Sequence, residues 1–476
     1  MDFDLVVVGA GTGGTTAARF AGRAGLKVCL LDTKPRDKVG VKVCGDAVGG
    51  EIFDILGIDP PKNEDLSWKV KGAKLVSPDR QTSITMVDPS QAGYIVNRHE
   101  FGQRLLNEAL GAGSVEFRER TFAKELIVEG GLVKGVKVRD KSKSGTDEIR
   151  AKVTIDASGY HTPLRKGLNT PFIERDIDEE TDSIICYREI VDLGTPGDFD
   201  PDYIVITLDQ ELAPGGYLWH FPRSQTAINI GIGTYLRYTR ELKKWYFQNA
   251  FQPFVKEKKF TVTARGGGLV TVRRPIASAV EDGVMFVGDA AAQVNPLDGG
   301  GIDSSMRAGA IAGKTAVAAI QANNLTKAGL WNYNVEFMRS LGAQFGSLDV
   351  LRVGLQSLSN QELNFGLKNQ LLESKDILDI AAKGRAELGL LDMVTRAVRG
   401  IRKPGLLATL AFIHRKMGEM KDLYKQYPEN PQSFLTWKEK MLQRLGGTRK
   451  VLAPQQNLFT YTATQKKRQN PAFWVV

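Results

Sequence analysis

The feature that most constrains this chain is Gly9-Ala-Gly11-Thr-Gly-Gly14, set between two apolar runs. Leu5 to Val8 is short and β-branched, as a buried parallel strand requires, and the glycines fall where a helix should begin. Each glycine has a separate task. Gly9 permits a tight turn, Gly11 lets backbone N–H groups approach a pyrophosphate, and Gly14 lets the helix close on the strand. A phosphate then rests on the helix N-terminus. Val28 to Leu31 forms the next strand. Asp32 follows it, about 20 residues beyond the glycines, where an acid accepts hydrogen bonds from a ribose hydroxyl. Strand, turn, helix, strand and acid agree on one βαβ unit that holds a dinucleotide.

At 476 residues with 42% hydrophobic content, the chain can bury the cores of two or three domains. No apolar run approaches the roughly 18 residues of a membrane helix, and a dinucleotide turn at Gly9 leaves no room for a signal peptide. A cytoplasmic location is expected. Cys29, Cys44 and Cys186 are too few for a disulfide framework and one short of a four-thiolate iron–sulfur site. His99, His161 and His414 show no ligand spacing and read as structural, so no metal is expected. The net charge of +10 is concentrated late in the chain. Residues 396–450 carry 13 Lys and Arg against 4 Asp and Glu, and Lys466, Lys467 and Arg468 follow with no acid nearby. That pattern suits an anionic membrane surface or a solvated helical face. Nucleic acid is not expected, since no nucleic-acid-binding motif accompanies the charge.

After Asp32 the loop Val39 to Gly50 places four glycines around Cys44 and Asp46, which brings backbone close to something. Strand-like segments over Lys69 to Val87 lead to Tyr94–Val96 and a helix over Arg98 to Leu110. A hairpin is expected around Glu129-Gly130-Gly131, then a strand, Ala151 to Ile155, ending at Asp156-Ala-Ser-Gly159. From Thr170 to Ala279 the texture changes to alternating segments, with candidate strands at Ile184–Ile190, Tyr203–Leu208, Tyr217–Phe221 and Thr226–Ile232. Val284 to Val287 restores a buried strand, followed by Gly288-Asp289 and a helix from Ile302. Beyond Leu325 the pattern is helical, as in Leu406, Leu410, Ile413, Met417 and Met420.

Three separated pieces now read as parts of one cofactor site: the glycine fingerprint, Asp156 to Gly159 with Arg165, and Gly288-Asp289 with the later Gly300, Gly301 and Ile302. Together they resemble the flavoprotein group that includes aromatic hydroxylases, flavin halogenases and geranylgeranyl reductases. The resemblance covers about the first 325 residues of the 476. It implies that the fingerprint holds the ADP half of FAD, that Asp289 bonds the ribitol, and that Arg98 contacts the cofactor. By itself Asp289 also suits a helix N-cap, and Arg98 a surface helix residue. A single fingerprint supports one resident dinucleotide, and no second G-x-G-x-x-G follows a strand. FAD is therefore the expected cofactor. Its electron donor, NAD(P)H or a reduced carrier such as ferredoxin, is expected to visit transiently.

Two further stretches select among these flavoproteins. Pro214-Gly-Gly-Tyr217-Leu-Trp219-His-Phe221-Pro222 matches the P-x-x-Y-x-W-x-F-P pattern of geranylgeranyl reductases, and Lys42-Val-Cys44-Gly45-Asp46 resembles their cysteine-glycine loop. Alternation places Tyr217, Trp219 and Phe221 on one strand face, which makes either an aromatic wall for an apolar chain or a β-domain core. The resemblance implies that Cys44 and Gly45 face the flavin and substrate. Cys44 also suits a small buried hydrophobe.

The implied activity is saturation of isolated C=C bonds in geranylgeranyl chains of an archaeal-type ether lipid. Cys44, Tyr217 and His220 are the candidate proton donors, although a regular strand turns His220 to the other face. The implied fold is α/β: a Rossmann-like FAD-binding domain (1–66, 96–165 and 281–325), an antiparallel β-sheet substrate domain (67–95 and 166–280) and a C-terminal helical region (326–476). A lipid substrate makes peripheral attachment at a membrane expected. The competing readings are a flavin-dependent monooxygenase or halogenase, and a prenyl-binding carrier without catalysis.

Overall fold

The computed structural model describes residues 2–88, 93–140, 145–255, 258–386 and 388–452. Lys466, Lys467 and Arg468, counted above with the basic region, lie outside the described residues. The first strand, Phe3–Val8, occupies the middle of the nucleotide-side sheet, with Val28–Leu31 parallel on one side and Asp147–Asp156 parallel on the other. Val115–Arg118 extends this sheet beyond Val28–Leu31, and Val284–Phe286 joins Asp147–Asp156 in parallel. The returning strand lies some 280 residues from the first in sequence and one strand away in space. Leu5, Val7, Val28 and Leu30 are completely buried, as strands covered on both faces must be.

The fingerprint helix, Thr12–Arg23, and the helix that follows the return, Ile302–Gln321, pack closely along each other, Gly309 against Gly13 and Gly313 against Ala17. A 2.7 Å hydrogen bond between the Thr12 and Ser305 hydroxyls ties the two helix starts together. The helix expected from Arg98 runs over Arg98–Leu110.

The second sheet has seven strands, in the order Thr261–Thr271, Ser183–Asp192, Ala227–Tyr235, Tyr217–Pro222, Tyr203–Thr207, Gly72–Val76 and Ser83–Val87. Its pairs are antiparallel except one. Tyr203–Thr207 runs parallel to Gly72–Val76, because the latter arrives from the other layer rather than through a hairpin. The segment 67–95, expected to belong wholly to this sheet, is divided. Leu66–Val70 and Ala47–Gly49 instead pair with opposite edges of Gly93–Val96 in a three-stranded sheet beside the Cys44 loop.

The C-terminal residues fold as helices, as their periodicity predicts, and pack against both layers. Leu406, Ile413, Met417 and Met420 form the buried side of Pro404–Lys425, while Leu410 is partly buried. Trp331, Tyr427, Phe434 and Trp437 form an aromatic cluster, and the Tyr427 hydroxyl donates to the Ala277 carbonyl at 2.9 Å. A buried ion network does the rest of the joining. Arg449 and Arg352 reach Asp182 at 2.7 and 3.4 Å, and Arg352 also pairs with Asp349 at 2.6 Å. Arg273 approaches Asp182 at 3.7 Å and pairs with Glu174 at 2.6 Å. Such groups stay charged inside a protein only when paired and hydrogen-bonded.

Candidate active site

The fingerprint loop is set by close approach. Gly9 has φ +100°, and a Cβ on Gly14 would lie 1.8 Å from the Gly9 carbonyl oxygen, so the helix can start here only without a side chain. Gly11 differs. A Cβ there would meet nothing within 4 Å, and no side chain caps the helix it begins. The loop thus presents an open, uncapped helix N-terminus. Asp32 holds the loop from the end of the second strand, accepting from Ala10 N and Lys34 N, both at 2.8 Å.

Asp156 calls for a correction. Expected at the cofactor, it is fully buried, and its oxygens accept from Ser158 N and the Thr162 hydroxyl, both at 2.9 Å. Its side chain shapes the turn to Gly159 and has no surface left for a ligand. Gly159, at φ +89°, has open space where a Cβ would stand. Arg165 is likewise interior, donating to the Glu174 carbonyl at 3.1 Å.

Asp289 lies in the short helical turn Gly288–Ala291, directly after the returning strand. Its carboxylate accepts from Lys42 Nζ at 3.0 Å, and a Cβ on Gly301 would stand 3.5 Å from its Oδ1. Gly301 begins the Ile302–Gln321 helix, also without a side-chain cap. Arg98 is buried, and its Nε has no hydrogen-bond partner among the described residues. Two uncapped helix starts, an orphaned guanidinium nitrogen and a carboxylate facing a glycine turn fit an anionic dinucleotide such as FAD.

The Cys44 loop lies across one face of the seven-stranded sheet. A Cβ on Gly45 would sit 2.7 Å from the Phe221 ring, and one on Gly266 would sit 2.6 Å from Val43. Asn229 locks the arrangement by donating to the Cys44 carbonyl at 2.9 Å while accepting from Trp219 Nε1 at 3.0 Å. The Trp219 ring lies over Gly231, where a Cβ would come within 2.1 Å of it. Tyr217, Trp219 and Phe221 do share a face, with neighbouring ring centroids 6.0 and 6.4 Å apart. Trp219 and Phe221 are largely buried here, as members of a β-domain core would be.

The three candidate donors separate. Burial, reinforced by the Asp46 carboxylate, raises the Cys44 thiol, so it carries its proton at neutral pH. Burial also raises Tyr217 well above the usual phenol range, and its hydroxyl donates to the Asp298 carbonyl, pinning the aromatic strand to the loop before Gly300. His220 lies on the opposite face, its ring 5.6 Å from that of Phe254, where burial lowers it to about 4. It is a neutral packing residue, away from Cys44 and Tyr217.

Around Cys44 the fold gives Asp46 charged neighbours, Arg188 and Arg223, that motif reading missed. Asp46, at φ +67°, is buried and pairs with Arg223 at 2.6 Å. Burial raises its carboxyl, while Arg223, Arg188 and Arg98 oppose the rise. Arg188 is buried, and its Nε and Nη1 have no partner among the described residues. In the sequence Arg188 is one charge in an alternating strand, with nothing to show which face it takes. The glycines at 231 and 233 were the readable signal, since alternate glycines in a strand mark a close approach.

Residues 4–160 match the family model for FAD-dependent oxidoreductases, and residues 182–270 match that for the geranylgeranyl reductase catalytic domain. The digeranylgeranylglycerophospholipid reductase of Sulfolobus acidocaldarius is 36% identical over 448 residues, covering 93% of this chain and 97% of that protein. The protein of the same name from Methanothrix thermoacetophila is 31% identical, covering 81% of this chain and 95% of its own length. Among solved structures, a geranylgeranyl bacteriochlorophyll reductase-like protein from Thermoplasma acidophilum shares the fold with TM-score 0.73 at 24% identity, covering 86% of this chain and 99% of that one. The flavin-dependent brominase Bmp2 does so with TM-score 0.61 at 19% identity, covering 88% of this chain and 98% of its own. With both family models matched and full-length similarity to the Sulfolobus enzyme, the chain belongs to the digeranylgeranylglycerophospholipid reductase family of FAD-dependent oxidoreductases.

Proposed function

We propose that this protein saturates isolated C=C bonds in the geranylgeranyl chains of an archaeal-type isoprenoid ether lipid. The observation that carries the reading is the clamping of the Cys44 loop onto the aromatic face of Tyr217, Trp219 and Phe221. FAD in its reduced form supplies the hydride. In this reading Gly9, Gly11, Gly14 and Asp32 hold its ADP half, and Arg98, Asp289, Gly300, Gly301 and Ile302 hold the remainder. An isolated alkene has no carbonyl to polarise, so the protein must act through positioning, dryness and a proton source. Trp219 and Phe221 offer flat apolar contact to the chain, and the protonated Cys44 thiol is the first candidate donor, with Tyr217 second. Electrons arrive from a transient donor, NAD(P)H or a reduced carrier. Among the described residues no helix is long and apolar enough to cross a membrane. The basic excess over 396–450 supports docking at an anionic surface instead.

The test is anaerobic. The flavin is reduced chemically, a digeranylgeranyl phospholipid is added, and product is analysed by mass spectrometry. Flavin reoxidation with gain of two hydrogens per double bond is the expected result. A reduced flavin that ignores the lipid and, once air is admitted, consumes oxygen to hydroxylate or halogenate an aromatic compound would overturn it.

A further inference from the structure

The helix Leu390–Gly400 is amphipathic in the wrong sense for a surface helix. Leu391, Val394 and Val398, with Ile401 just beyond its end, recur at steps of three, four and three and therefore share one face. They are 82%, 55%, 65% and 72% exposed. The opposite face is charged and turned inward. Arg396 pairs with the buried Asp376 at 2.9 Å and donates to the Leu371 carbonyl, while Arg399 pairs with Glu373 at 2.6 Å. Gly400 abuts Leu407, where a Cβ would come within 2.4 Å. Asp392 closes the helix start by accepting from Gly389 N at 3.0 Å. In a soluble helix the apolar side is the one that packs inward. Here ion pairs fix the rotation and hold four aliphatic side chains out.

We propose that this stripe is a membrane-insertion element: Leu391, Val394, Val398 and Ile401 enter the acyl boundary of an anionic leaflet, with Arg402 and Lys403 at headgroup level. Two observations select a bilayer as the occupant. The stripe ends directly at these two basic residues, the charge an anionic leaflet complements. It also adjoins Pro404–Lys425, whose Leu406 belongs to an apolar cluster with Leu363 and Leu371 that takes in Leu208, the residue after strand Tyr203–Thr207. That strand is paired with the aromatic strand, Ile206 opposite Trp219. The proposed contact and the proposed substrate strand are thus connected through one apolar cluster. The choice of a bilayer rests on the lipid-reductase reading, but the binding itself does not require turnover. An eleven-residue helix is about 16 Å long, suited to lying in the interface plane rather than crossing.

The experiment is vesicle flotation of the FAD-loaded full chain with phosphatidylglycerol and with phosphatidylcholine vesicles. Leu391→Ser, Val394→Ser, Val398→Ser and Ile401→Ser are combined in one variant, and Arg402→Glu with Lys403→Glu in another. The serine variant is expected to lose binding roughly 100-fold in low salt and high salt alike, because the lost contact is apolar. The charge variant is expected to lose about tenfold, an effect that high salt reproduces in the wild type. Turnover of a detergent-dispersed substrate, with flavin content, reports folding and should be unchanged in the serine variant. Wild-type-like flotation of that variant would overturn the proposal. So would wild-type protein that ignores vesicles while the serines abolish a dimer seen by sedimentation, or binding that appears only on removal of residues 453–476. Failure of the reductase reading looks different: vesicle binding intact, with no lipid reduced.

Discussion

Gly14 and Gly231 occupy corresponding places in the two sheets' logic, and they do opposite work. At Gly14 the missing side chain lets backbone meet backbone, a helix closing on the carbonyl of Gly9. At Gly231 it makes room for a ring, so that Trp219 can lie flat on its own sheet. The first use is repeated wherever a dinucleotide meets a βαβ unit, and spacing alone reveals it. The second depends on which residue stands opposite across the strands, here Trp219 against Gly231. A sequence does not print that register.

Substitutions can separate the two uses. The largest effect is expected from Gly14→Val, which drives a side chain into the Gly9 carbonyl. The protein should purify colourless, with FAD affinity down more than about 1000-fold, since the pyrophosphate turn cannot form. Gly231→Val should leave the protein yellow and yet lower kcat/KM for the lipid roughly 100-fold, because Trp219 must leave its seat. Flavin loss in that variant would show that the two regions are not independent. Cys44→Ala should lower turnover by about 100-fold if the thiol donates the proton. Its pH profile sharpens the point. Burial and Asp46 raise the thiol above its ordinary value of 9.0, so it stays protonated through neutral pH, and wild-type turnover should fall only on the alkaline side of that value. A fall between pH 6 and 8 that survives in Cys44→Ala would assign the proton elsewhere. The smallest effect is expected from Asn229→Leu, which strands Trp219 Nε1 and the Cys44 carbonyl. Thermal unfolding should report a loss of about 2 kcal/mol, with flavin retained.

The nucleotide half was legible because its signals are local. The apolar run, the glycines and Asp32 lie within one βαβ unit, and the helix at Arg98 begins where its pattern begins. The aromatic face was legible too, since period two sends Tyr217, Trp219 and Phe221 one way and His220 the other. Asp156 was misplaced for a physical reason. An acid after a buried strand can turn outward to a ligand or inward to its own turn, and Ser158 and Thr162, which take it inward, look like ordinary loop residues. Arg188, Arg223 and Asp46 are brought together from positions up to 177 residues apart, beyond the reach of any local pattern. The outward stripe of Leu390–Gly400 was hidden differently. Its periodicity is plain, but only the partners of Arg396 and Arg399 decide which side faces the protein.

The ion network at Asp182 bears on how a long lipid chain reaches a largely buried face. After its earlier excursion through Gly72–Val76 and Ser83–Val87, the chain re-enters the seven-stranded sheet at Asp182 and leaves it at Arg273 and Arg274; Arg352 and Arg449 from the C-terminal helices grip the point of re-entry while Glu174 grips the point of departure. The passages at Asp182 and Arg273 are therefore tied to each other and, through Asp182, to the C-terminal helices. A hinge needs residues free to change their backbone angles, and here the natural hinge points carry buried charge pairs that any swing would have to break. Substrate admission is therefore expected without a swing of one layer on the other at these two passages.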